Sequence, residues 1–279
     1  MDIKVEGLLE SVIDRFKNVQ GIDAVVLGGS RATGTFTDDS DIDLGIYYNR
    51  NFNLAYFKRV SAELDDRHRT DCITDIGEWG PWINGGGWLT IDGMPVDILF
   101  RETEKVRNTV DECKAGTITI DYQCGHPFGF VNAIYMGEAA LCRILLEENQ
   151  RLKDLKKTLA VFPKRYREAS MEKFLWEGKF SLRCGKKAAS RKDVTYASGS
   201  LFRSAVCLIY AFYSFHEMYF INEKGSLSRL KKSGVGLPDG FADTIEETAC
   251  VKPDNIAELF GRMEQLYAES EDYMQKNKT

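Results

Sequence analysis

The stretch Leu27–Gly45, LGGSRATGTFTDDSDIDLG, decides how this chain reads. A Gly28-Gly29-Ser30 turn follows a short apolar run from Asp23 to Leu27, and ten residues past the Gly-Ser pair comes Ser40-Asp41-Ile42-Asp43. Residues two apart on a strand point to the same face, so Asp41 and Asp43 stand side by side with like charges. Such a pair is costly unless something positive sits between the carboxylates, and a divalent cation is the usual answer. The Gly-Gly-Ser turn offers backbone N–H groups and a hydroxyl to phosphate oxygens. A phosphate cradle beside a carboxylate pair reads as a site for a nucleoside triphosphate with Mg²⁺.

Outward from this motif, the 279 residues suffice for one large domain or two modest ones, and 43% hydrophobic residues allow a sizeable core. The net charge of −5 argues against a dedicated duplex-binding protein, which presents a strong basic face. The charge is uneven. Residues 1–150 hold 14 Lys and Arg against 25 Asp and Glu, while residues 151–192 hold 14 basic residues against 4 acidic. That basic run either faces a polyanionic ligand or is a solvated helix face. Seven scattered cysteines, with no Cys-x-x-Cys, read as reduced thiols of a cytoplasmic protein. The N-terminal ten residues are polar and acidic, so no secretory signal is expected, and no apolar run approaches the ~20 residues of a membrane span.

Apolar spacing predicts a helix over 3–19, a buried strand over 22–27, a strand from Asp41 through Tyr48, and a helix over 53–64. Residues 88–100 read as a hairpin turned by Asp92-Gly93, and 102–114 as a helix. From Glu138 onward the pattern is helical, in pieces near 138–149, 151–160, 164–188, 193–221, 241–249 and 254–275. The expected fold is α+β: a mixed sheet flanked by helices over 1–137, then an all-α helical bundle over 138–279.

The hairpin's second arm, Met94 to Phe100, carries one carboxylate, Asp97, in an otherwise apolar strand. Two-metal phosphoryl transfer needs acidic ligands that hold ions against the triphosphate, and Asp41, Asp43 and Asp97 are the candidates on two neighbouring strands. Gly29-Ser30, Gly34, Ser40 to Leu44 and the Val96-Asp97-Ile98 strand together resemble the DNA polymerase β-type nucleotidyltransferase superfamily. The helical second half is similar in layout to kanamycin-type antibiotic nucleotidyltransferases. The resemblance implies that Gly29 and Ser30 hold the β- and γ-phosphates and that Asp41 and Asp43 ligate Mg²⁺. Asp97 would ligate a metal or deprotonate the acceptor hydroxyl. It also implies ATP or another nucleoside triphosphate as co-substrate, two Mg²⁺ ions, and a cleft shared in a homodimer.

Further candidates come from the residues themselves. Arg31 follows the Gly-Ser pair and either touches phosphate or is solvated. Arg203, inside an apolar helix, is either a phosphate ligand or half of a structural salt bridge, and Lys224 near a helix end is a candidate nucleotide contact. Glu138, at an expected helix start, either interacts with the helix dipole or, as the resemblance to the kanamycin-type enzymes implies, is a candidate base contributed by the second domain. His68, His126 and His216 are too dispersed for a zinc site. Trp79, Trp82 and Trp88 cluster around Gly85-Gly86-Gly87, either packing the sheet or forming part of a substrate lid.

The function expected from this pattern is transfer of a nucleoside monophosphate, AMP from ATP by class, to a hydroxyl of a small molecule such as an aminoglycoside-like antibiotic, releasing pyrophosphate. The acidic first half favours a cationic acceptor. The alternatives are the same chemistry on a protein hydroxyl or an RNA 3′ end, for which the basic run 151–192 speaks, and a non-catalytic triphosphate-binding sensor.

Overall fold

The computed structural model describes residues 3–34, 36–37 and 40–277. In chain order the elements are α1 (Ile3–Phe16), β1 (Ile22–Leu27), α2 (Gly29–Thr33), β2 (Ile42–Tyr48), α3 (Leu54–Leu64), β3 (Gly86–Ile91), β4 (Met94–Glu102) and α4 (Thr103–Lys114). Then come β5 (Ile120–Asp121), β6 (Phe130–Val131), α5 (Ala133–Leu141), β7 (Arg143–Glu147), α6 (Arg151–Thr158), α7 (Lys164–Ala189) and α8 (Val194–Phe215). The chain closes with α9 (Ser226–Lys232), α10 (Phe241–Glu247) and α11 (Ile256–Lys276). The fold is α+β, as expected. Two compact units form: residues 1–111, 121–125 and 132–161 make the first, and residues 112–120, 126–131 and 162–279 the second.

The first unit holds a five-stranded mixed sheet in the order β3-β4-β2-β1-β7, in which only β2 and β4 run parallel. Strand alternation gives β2 two faces. Ile42, Leu44 and Ile46 point into a core with Val5, Leu8, Val12 and Phe16 of α1 and Phe57 and Val60 of α3. Phe16 packs on Phe57 at 4.7 Å, and Phe57 meets Phe100 of β4 edge-on at 5.5 Å. The opposite face carries Asp43, Gly45 and Tyr47 on β2, in register with Asp97, Leu99 and Arg101 on β4. Helix α5 covers the far end of that face, where the Arg101 guanidinium lies over the Tyr135 ring and donates two bonds of 2.7 Å to the Glu138 carboxylate.

The Asp92-Gly93 turn joins β3 to β4 with both residues at positive φ, 51° and 75°, matching the twist of the hairpin. Asp66 fastens it by accepting from the backbone N–H of both residues. Asp65, fully buried at the end of α3, accepts from Arg69 Nε and Nη2 and from the Thr90 N–H of β3.

In the second unit α7, α8 and α11 pack closely because small residues face bulky ones. Gly178 of α7 lies against Tyr267, whose hydroxyl donates to the Ser204 carbonyl, and Gly185 lies against Phe260. Ser170 and Ser214 share a buried hydrogen bond of 2.6 Å.

The structure departs from the expected elements in several places. The piece read as helix over 138–149 is the end of α5 followed by strand β7. β-branched and leucine side chains there pair with β1 instead of continuing the helix. The helix expected over 193–221 stops at Phe215, where His216 caps it, so Lys224 lies in the connection to α9 and not near the helix end. Neither α2 nor α9 was anticipated; both are too short to show a helical period.

Two outcomes test these supports. The Arg69 guanidinium holds the Asp65 carboxyl well below the usual carboxylate range. A carboxyl with a depressed folded pKa stabilises above its unfolded value near 4 and loses that contribution as pH falls below it. We therefore expect Asp65→Asn to cost roughly 2 kcal/mol at neutral pH, and to flatten the acid limb of a urea-melt stability profile; parallel profiles would refute the assignment. Truncating one partner of the Arg101–Glu138 pair should cost roughly 3–5 kcal/mol. Joint replacement by Arg101→Met and Glu138→Leu should cost much less, as read by denaturant midpoints.

Candidate active site

At the end of β1 the chain turns through Gly28, whose N–H donates to the Asp43 carbonyl of β2 at 2.8 Å. Gly29 follows at φ +57°, a left-handed conformation that glycine adopts without strain. A Cβ at Gly29 would stand 1.8 Å from Asp43 Oδ2. The glycine is therefore where the turn's backbone meets the carboxylate. Helix α2 then makes a single turn, with the Ala32 N–H donating to the Gly28 carbonyl, and stops at Gly34 in the left-handed region, φ +73°. Gly34 thus supplies a tight turn.

Arg31 is buried. Its Nε donates at 3.1 Å to the carbonyls of both Ser40 and Asp41, its Nη2 donates to Ser40 at 2.5 Å, and its guanidinium lies over the Phe36 ring at 5.3 Å. It is buried, not solvated, and fastens the entry of β2 to α2. Ser40 in turn accepts from the Thr37 N–H through its hydroxyl.

The parallel register sets Asp43 directly beside Asp97. Both are half-buried, Ser30 is half-buried, and Asp41, one residue before β2, is exposed. Gly29, Asp43 and Asp97 are thus brought together, with Ser30 and Asp41 flanking them in sequence. Among the described residues, no group of three His, Cys, Asp or Glu side chains converges as a metal-binding set. The donor chemistry nevertheless suits a hard cation, since Asp43 and Asp97 are neighbouring oxygen ligands on one sheet face.

The other candidates have different surroundings. Glu138 lies in the first unit, on α5, engaged at both carboxylate oxygens by Arg101. Arg203 lies in the second unit, paired with Glu177, donating to the Phe128 carbonyl at 3.2 Å and lying over the Phe128 ring. Lys224 is exposed. His68 and His216 meet the backbone carbonyls of Ala62 and Gly236, and His126 faces Glu223 at 3.4 Å. Of the basic run, Lys179 pairs with Glu271 and Lys186 with Glu264.

Arg101 was not anticipated, and Trp88 was named for packing or a lid but not as a neighbour of Asp97. Arg101 shares the face of Asp97, four positions along the same strand, and period-two counting from Asp97 would have found it. Trp88 stands directly across from Asp97 on β3. Reading the hairpin outward from Asp92-Gly93 pairs the two positions.

Comparison with known proteins bears on this geometry. Residues 5–116 match the family model for the nucleotidyltransferase domain. No curated protein matches the chain. Among solved structures it is similar to a nucleotidyltransferase-like protein from Exiguobacterium sibiricum 255-15, at 11% identity and a TM-score of 0.46, over 99% of this chain and 81% of that one. No helix among the described residues is long and apolar enough to cross a membrane. Gly29, Ser30, Asp41, Asp43 and Asp97 all fall within the matched segment, and the chain is a transferase carrying a nucleotidyltransferase-type domain.

Proposed function

We propose that this chain transfers a nucleoside monophosphate, AMP from ATP, to a hydroxyl of a small molecule and releases pyrophosphate. The observation that carries this reading is the register of Asp43 beside Asp97, with the Gly29 backbone pressed against the Asp43 carboxylate, inside the matched domain. Asp41, Asp43 and Asp97 would hold Mg²⁺, with rotation of their side chains turning the carboxylates onto a shared cation. Bound there, the cation screens the charge of the triphosphate and the developing charge at the α-phosphorus.

The chain's own residues do the rest. The turn presents the Gly29 and Ser30 N–H groups and the Ser30 hydroxyl to the β- and γ-phosphates. Arg31, by holding the carbonyls of Ser40 and Asp41, keeps the first carboxylate at the head of β2. Asp97, where it does not ligate the metal, would accept the acceptor's proton as the oxygen attacks in line and pyrophosphate leaves. The acidic balance of residues 1–150 favours a cationic acceptor of the aminoglycoside type. Ion pairing of Lys179 and Lys186 lessens the charge that the basic run would offer a nucleic acid.

The test is pyrophosphate release with Mg²⁺ and each of the four nucleoside triphosphates, against pools of aminoglycosides, lincosamides, tRNA and cell lysate. Release that depends on one pool, and vanishes in Asp41→Ala/Asp43→Ala, supports the reading. Release unaltered by the double substitution refutes it. Asp43→Asn or Asp97→Asn should each slow turnover by about a thousandfold. Gly29→Ala should displace the Asp43 carboxylate and cost about 1 kcal/mol of stability from its positive φ, while calorimetry shows weakened binding of Mg-ATP.

A further inference from the structure

In the first unit a large aromatic side chain stands exposed beside the carboxylates. Trp88 on β3 is the register partner of Asp97 on β4. Its N–H donates to the Cys72 carbonyl and its carbonyl accepts from Arg69 Nη2, both on the side away from β4. Trp88 and Asp97 therefore form a non-hydrogen-bonded pair, the closer of the two antiparallel spacings, with Cα atoms about 4.5 Å apart and side chains nearest one another. Trp88 is 58% exposed. Its ring is backed by Trp79, centroid to centroid 4.6 Å and tilted by 36°.

The glycine run explains how Trp79 reaches that position. Residues 72–74 pair along the outer edge of β3, with the Thr74 N–H donating to the Gly86 carbonyl. A Cβ at Gly87 would stand 2.1 Å from the Cys72 carbonyl oxygen, and one at Gly86 would stand 3.0 Å from the Trp79 ring. Trp82, by contrast, is spent on packing: it meets Tyr135 edge-on at 5.5 Å and carries the Lys105 ammonium over its ring. Of the three tryptophans around the glycines, Trp88 is thus the one presented to solvent, supported from behind and adjacent to Asp97.

We propose that Trp88, backed by Trp79, is the platform on which the acceptor's ring rests, and that the acceptor is a compact hydroxylated ring of the sugar or cyclitol type. This rests on the nucleotidyl-transfer reading above. An indole offers an apolar face on which the C–H face of a saturated ring packs, and the hydroxyls of such a ring radiate from its edge. A ring lying on Trp88 directs an edge hydroxyl toward Asp97, because the two side chains are nearest neighbours across the hairpin. The spacing suits a hydroxyl attached directly to the ring. A serine hydroxyl on a peptide would leave the indole uncovered.

Two readouts decide this. In the first, emission of the metal-free protein is titrated with glucosamine and myo-inositol as ring probes and with sorbitol and N-acetylserinamide as open-chain probes. The rings should perturb the emission and the open-chain compounds should not. The ring response should persist in Trp176→Phe, which removes a tryptophan of the second unit, and be lost in Trp88→Phe. In the second, pyrophosphate release is followed with Mg-ATP and each probe. Trp88→Ala should raise KM for the ring acceptor by about tenfold to a hundredfold, with kcat falling less, and Trp88→Phe should recover most of the loss. Equal response to rings and open chains, or a ring KM unchanged in Trp88→Ala, overturns the proposal. Absence of pyrophosphate release from every probe counts against the transfer reading, and the emission titration then decides the platform by itself.

Discussion

The parallel pairing of β2 with β4 is the constraint on which the site depends. It is the one parallel contact in an otherwise antiparallel sheet, and its register leaves no choice about what stands beside what: Ile42 meets Val96, Asp43 meets Asp97, and Tyr47 meets Arg101. A slip of one residue would turn every side chain of β2 to the other face, burying the carboxylates and exposing Ile42, Leu44 and Ile46. The hydrophobic core under the sheet thus enforces the juxtaposition of two like charges above it. Apolar burial, summed over many residues, holds a local repulsion that the isolated strands would avoid.

The same sheet face changes character along its length. At one end Arg101 and Glu138 neutralise each other beneath Tyr135, so α5 covers that end with a satisfied ion pair. At the other end the carboxylates face outward, flanked by the Gly28-Gly29 turn and by Trp88. The acid on α5 is engaged by a guanidinium of the same sheet, whereas Asp43 and Asp97 stand beside one another in the parallel register. Arg31 donates its guanidinium to the carbonyls of Ser40 and Asp41, so that the loop entering β2 is fastened to α2.

The legible part of this protein was local. The period of α1, the Asp92-Gly93 turn, the Asp41-x-Asp43 spacing and the lone acid in β4 are carried by residues close in sequence, and each was readable from them. What was missed has non-local causes. β7 forms because β1 offers it an edge, which nothing between Arg143 and Glu147 announces. The role of Arg31 was missed, and that of Arg203 was left open between a ligand and a salt bridge, because each depends on which carbonyl or carboxylate comes within reach. A charged side chain in an apolar setting is bound to find a partner, but its sequence does not say whether that partner is a ligand or the protein.

The sequence by itself determined the α+β class, the turn-and-carboxylate motif and the face each carboxylate occupies, since these follow from periodicities of two and 3.6 residues and from the conformational freedom of glycine. Only the tertiary structure decided that Asp43 and Asp97 are neighbours in a parallel register, that Glu138 is engaged by Arg101, and that Trp88 stands open beside Asp97. Those outcomes depend on strand order and on contacts between residues tens of positions apart, where the long-range packing of the chain, and not its local pattern, selects the partner.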